Sequence, residues 1–173
     1  MSEVRSTLDL VMERTRGMVQ TPEERAETER EERRRRLRTM TQQLLERAAG
    51  VERLLEQIEQ LERNDPPFPW RKELAQELAG RVSFGEGRDL LVDALIALHP
   101  EKAHDFSVAV AEALARDAEL KASAEKRLLD VLAARGIRGT GVVANLQKDP
   151  GWLEEHKALE QALAERLASL AGR

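Results

Sequence analysis

Between Pro22 and Arg63 the chain holds a single glycine, Gly50, and no proline after Pro22. Few folds can absorb such a run. Backbone free of Pro and Gly keeps its helical hydrogen bonds, and a helix over all of 22–63 is about 63 Å long at 1.5 Å per residue. That is longer than a small domain is wide. Its start is written in Thr21-Pro22-Glu23-Glu24, where Thr21 can cap, Pro22 suits the first helical position and Glu24 completes a capping box. Leu37, Leu44, Val51 and Ile58 then fall at heptad position a, and Met40, Arg47, Leu54 and Leu61 at d. Seven of these eight positions are apolar, which is the pattern of a coiled-coil seam. Two uses of the seam stay open. Val51 and Ile58 at a with leucines at d favour a parallel dimer, whereas Arg47 at d and Gly50 favour a helix packed on its own chain.

The first part of the run, residues 22–36, has no seam. It ends in Glu31-Glu32-Arg33-Arg34-Arg35-Arg36-Leu37-Arg38, and an arginine cluster can bind phosphate with release of counterions. Glu29, Glu31 and Glu32, however, stand four residues before Arg33, Arg35 and Arg36, the favourable order for i,i+4 pairs. Residues 22–63 carry 11 acids and 10 arginines, so the run is nearly balanced in charge. No aromatic residue interleaves with the arginines to stack on bases. A salt-bridged, solvated helix is the expectation, with nucleic-acid association through Arg33–Arg38 as the alternative.

Ahead of this run, Val4, Leu8, Val11, Thr15 and Met18 recur at spacings of four and three, an amphipathic helix over residues 1–20. Its polar face mixes signs, which suits docking on protein better than lying on a membrane. Asp9 and Glu13 interrupt the best apolar run, so no signal-peptide core is evident, and nothing approaches the ~18 apolar residues of a membrane span. A cytoplasmic location is the default expectation. Aromatics are 3% of residues, with no Tyr, which leaves Leu, Ala and Val to build the core and suits helix-on-helix packing. The net charge of −4 exerts no global pull toward nucleic acid or anionic lipid. With no Cys there is no disulfide, thiolate metal site or Cys nucleophile.

Asn64-Asp65-Pro66-Pro67-Phe68-Pro69 ends the run, and three prolines in four residues predict an extended, stiff boundary over 64–69. Phe68 and Trp70 are expected to tuck against the body that follows. Over 70–173 short helices are predicted: Trp70–Val82, Arg88–Leu98 up to a break at His99-Pro100, Glu101–Arg116, Asp117–Ala134 and a last one from Pro150. Gly136 suits a left-handed C-cap, and Asp149-Pro150 reads as a cap followed by proline at the first helical position. No repeat at a solenoid period is present.

Four of the ten glycines lie between Arg135 and Trp152. A non-helical connection of about a dozen residues is uncommon in a compact domain and often functional. Gly139-Thr140-Gly141-Val142-Val143-Ala144 matches the dinucleotide-binding glycine fingerprint, but that fingerprint needs a preceding strand and an immediate helix; here a helix precedes and the next waits until Asp149. The expected role is a structural crossover in which Val142, Val143 and Leu146 plug a bundle and Asn145 bonds backbone carbonyls. A partner surface, or a small-molecule site using Arg138, Gly139, Gly141 and Asn145, are the alternatives. His99 and His104 lack the i,i+4 spacing of a zinc pair, and His156 on an apolar stripe reads as a packing residue. No catalytic, cofactor or metal residue is assigned.

Ser6-Thr7-Leu8-Asp9-Leu10-Val11-Met12-Glu13-Arg14-Thr15, taken with Gly136-Ile137-Arg138-Gly139-Thr140, resembles a small family of bacterial all-helical proteins of unknown function, over most of the chain. The resemblance implies no activity, cofactor or partner. The Arg- and Ala-rich usage also suits a bacterial source. The expectation is therefore an all-α chain: an amphipathic helix over 1–20, a long charged and coiled-coil helix over 21–63, a Pro-rich boundary at 64–69, and a helical-bundle body over 70–173. Its expected function is non-enzymatic interaction or assembly, with a protein partner or a second copy (a homodimer) docking on Leu37, Met40, Leu44, Val51, Leu54, Ile58 and Leu61.

Overall fold

The computed structural model describes residues 21–172, and the amphipathic stripe expected over 1–20 lies outside them. Every regular element among the described residues is helical: α1 (Pro22–Leu45), α2 (Val51–Asn64), α3 (Trp70–Ala79), α4 (Arg88–Leu98), a 3-10 turn (Pro100–Lys102), α5 (Ala103–Ala134), a second 3-10 turn (Leu146–Lys148) and α6 (Pro150–Gly172). The fold is all-α. No described helix is long and apolar enough to cross a membrane.

Two compact units divide the chain, Met1–Arg38 and Thr39–Arg173. In the first, the capping box forms as the sequence predicts. The Thr21 N–H donates to Glu24 Oε2 at 2.7 Å, and the Glu24 N–H donates to Thr21 Oγ1 at 3.2 Å. Residues 21–32 are all exposed, and Arg33 pairs with Glu29 at 3.7 Å in the i,i+4 order expected.

The second unit corrects the single long helix. α1 stops at Leu45 and α2 begins at Val51. The stop is a C-cap in which the Arg47 N–H bonds Leu44 O at 3.0 Å and the Ala48 N–H bonds Gln43 O at 2.9 Å. Those two bonds define a Schellman motif with Arg47 at C′, and Arg47 has the left-handed φ of 56° the motif requires. Its place at a heptad d position is thereby explained, because Arg47 lies in the elbow and not on a helical seam. α2 packs against α4 and α3, burying Leu54 and Ile58. Residues 65–68 form a turn and no extended spacer, with the Phe68 N–H donating to Asp65 O at 3.3 Å. Trp70 is buried as expected, its indole N–H donating to Asp65 O at 3.2 Å and its ring meeting Phe68 edge-on at 4.6 Å.

α3 packs against both α4 and α6, α4 against α5, and α5 against α6. The core is Leu- and Ala-rich: Leu74, Ala75, Leu78 and Ala79 of α3, Leu91, Ala94 and Leu95 of α4, Phe106 and Ala109 of α5, Leu163 and Leu167 of α6. Small residues at these contacts let the helix axes approach. Where two helices were expected over 101–134, one 32-residue helix is present. Arg116-Asp117 contains no helix breaker, so polarity alone does not interrupt it. α5 is about 48 Å long, and beyond Ala113 its buried apolar residue is Ala124.

Candidate functional site

Three regions hold the residues singled out by sequence. The first is the seam. Leu37, Met40, Leu44, Leu54 and Ile58 are each at most 7% exposed within the single chain, while Val51 and Leu61 are half-buried. The elbow at 46–50 puts the seam residues on two helices, α1 and α2. The described chain thus covers five of the seven residues expected to face a partner.

The second region is the connection from α5 to α6. Gly136 caps α5 as predicted: with φ 83° it forms a Schellman motif in which its N–H bonds Ala133 O at 3.1 Å and the Ile137 N–H bonds Leu132 O at 3.0 Å. Arg138 adds a side-chain bond from Nε to Ala133 O at 3.3 Å, placing a cation against the C-terminal carbonyls, where the helix dipole favours it. At the far end Asp149 caps α6, its Oδ1 accepting from the N–H groups of Gly151 (3.0 Å) and Trp152 (3.3 Å). The interior of the connection differs from the expectation. Val143 is 86% exposed, and Val142 and Leu146 are only half-buried, so this segment does not plug the core. Asn145 accepts from the Gln147 N–H at 3.1 Å, capping the 3-10 turn instead of donating to backbone carbonyls. Arg138, Gly139, Gly141 and Asn145 are exposed, and ligand sites bury most of what they bind.

The third region was not assembled by sequence reasoning. His156 of α6 sits between two rings, stacked on Trp152 at 4.7 Å and tilted against Phe84 at 5.4 Å. Its Nδ1 lies 2.7 Å from Asp117 Oδ1 on α5, and its Nε2 lies 3.8 Å from Glu160 Oε1. The same Glu160 oxygen accepts the Phe84 N–H at 2.9 Å. One imidazole and two carboxylates therefore tie α5, α6 and the loop before α4 together. His156 is the packing residue its stripe implied; the partner across 39 positions carried no local signal. His99 faces Glu101, with Nδ1 3.3 Å from Oε1. The Glu101 carboxyl is held below the usual carboxylate range, first by its own backbone N–H and then by His99. Among the described residues no three His, Asp or Glu side chains cluster as metal ligands do.

A cleft of about 480 Å³ opens at the start of α4, lined by Leu45, Arg47 and residues 85–90. Its Arg88 is already paired with Asp89 at 2.8 Å. No family model, no curated protein and no solved structure matches the chain.

Proposed function

We propose that this chain is a non-enzymatic interaction or assembly protein whose contact surface is the α5–α6 connection, while the heptad seam serves packing within the chain. The observation that carries the reading is where exposed apolar side chains fall. Leu129, Val131, Ile137, Val143 and Leu153 are the large hydrophobics exposed among the described residues. All five lie between the last turns of α5 and the first turn of α6. Single exposed leucines on a surface mean little, but here all five fall within residues 129–153, and the most exposed of them, Val143 at 86%, lies in the connection itself. Both ends of the connection are tied by caps, so docking orders little new backbone. A coiled coil formed between chains through Leu44 and Leu54 would first have to expose residues that are 0% and 1% exposed.

The test places a photoreactive phenylalanine analogue at position 143, and separately at the exposed position 165 of α6, in the source cells. A discrete protein adduct from 143 that is absent from 165 supports the reading. No adduct from 143, or the same adducts from both positions, refutes it.

A further inference from the structure

The chemistry of the connection also points to what covers it. Residues 135–148 carry Arg135, Arg138 and Lys148 and no Asp or Glu, beside the exposed Ile137 and Val143. A chain of net charge −4 thus presents a segment that is both cationic and apolar. The complementary segment is in the same sequence. Residues 22–32 hold six glutamates against two arginines, and the whole stretch is helical and exposed. Glu23, Glu27 and Glu31 recur at i, i+4 and i+8, a row of three carboxylates on one face, with Glu24 at its side. Like charges at that spacing destabilise a helix, and although Glu31 also stands four residues before Arg35, a cationic partner relieves Glu23 and Glu27. Directly before this row the sequence carries the apolar stripe Val4, Leu8, Val11 and Met18, which matches the demand of Ile137 and Val143 for apolar cover.

We infer that the α5–α6 connection of one copy takes the acidic start of α1, with the apolar stripe preceding it, from a second copy of this chain. The inference rests on the contact surface proposed above and names its occupant. Reciprocal exchange satisfies both connections at once, so the assembly closes at two copies and leaves no open end for a filament. Nucleic acid is the poorer occupant, because the exposed side chains beside the cations are aliphatic and offer no ring for bases to stack on.

Sedimentation equilibrium of the full chain at up to about 100 μM is expected to show twice the 19.5 kDa chain mass, with association weakened by added salt. Val143→Asp is expected to weaken dimerisation by about tenfold or more, the loss of one buried valine side chain. Reversing the row with Glu23→Arg, Glu27→Arg and Glu31→Arg abolishes the dimer. Adding Arg135→Glu, Arg138→Glu and Lys148→Glu to that variant restores it, while circular dichroism reports that each variant keeps the parent helicity. A chain monomeric at every concentration overturns the inference, as does a dimer indifferent to Val143→Asp, or a six-fold charge exchange that does not restore mass. If the adduct from position 143 contains a different protein and the purified chain is monomeric, the surface stands and self-association falls. If position 143 yields no adduct, both fall.

Discussion

Replacing Arg47 with glycine distinguishes the elbow from a continuous helix by the sign of one number. With φ at 56°, Arg47 occupies the left-handed region, where an L side chain costs about 1–2 kcal/mol relative to the right-handed conformation. Glycine removes that cost but gives the unfolded chain more freedom, about 0.4–1 kcal/mol, leaving a net gain of about 1 kcal/mol. If residues 22–63 formed one helix instead, the same change would put glycine in a helix interior and lose about 1 kcal/mol. The reciprocal change is Gly136→Ala, at the same place in the same motif with φ 83°. A Cβ there would meet nothing within 4 Å, so the loss reports backbone conformation alone and is again about 1 kcal/mol. For a chain of this size each effect is a shift of about 2–4 °C in Tm, or about 0.5 M in the urea midpoint at an ordinary m-value. The two motifs share no hydrogen bond, so the double variant should melt close to the parent. A lower midpoint for Arg47→Gly would refute the elbow.

Other outcomes follow from the same packing. Leu44→Ala removes a side chain with 0% exposure and should lower stability by about 3 kcal/mol; the loss relative to the parent should be equal at low and high protein concentration, whereas a seam shared between chains would make it concentration-dependent. Asp117→Ala and His156→Ala each remove one partner of the 2.7 Å contact between α5 and α6 and should cost at least about 1–2 kcal/mol singly. In a double-mutant cycle by urea titration the two losses should fall short of additivity, and full additivity would show that the pair is not coupled.

The ends of helices were the most legible part of this chain. Thr21-Pro22-Glu23-Glu24, Gly136 and Asp149-Pro150 each specify their geometry within four residues, and each forms as its local chemistry requires. The elbow at Arg47 was not legible. Leu44-Leu45-Glu46-Arg47-Ala48-Ala49 consists of strong helix formers, and the left-handed residue is one that sequence statistics seldom place there. The Asp117–His156 contact joins positions 39 apart, and no periodicity within either helix encodes it. For the connection, composition misled. Val142, Val143 and Leu146 look like core residues, and their apolar character alone does not say whether the cover lies inside the chain or outside it.

The packing of α3 against α6 bears on how the chain is made. Leu74, Ala75, Leu78 and Ala79 leave the ribosome about 90 residues before α6 is complete, which at about 5–20 residues per second is a delay of roughly 5–20 s. During that interval α2, α3 and α4 can meet, but one face of α3 has no cover. Closure comes with the end of α6, where the Lys102 ammonium donates to Leu170 O at 2.8 Å and Ala171 is buried. Truncation a few turns before the end of α6 would leave that face of α3 uncovered in the nascent protein, exposed to aggregation.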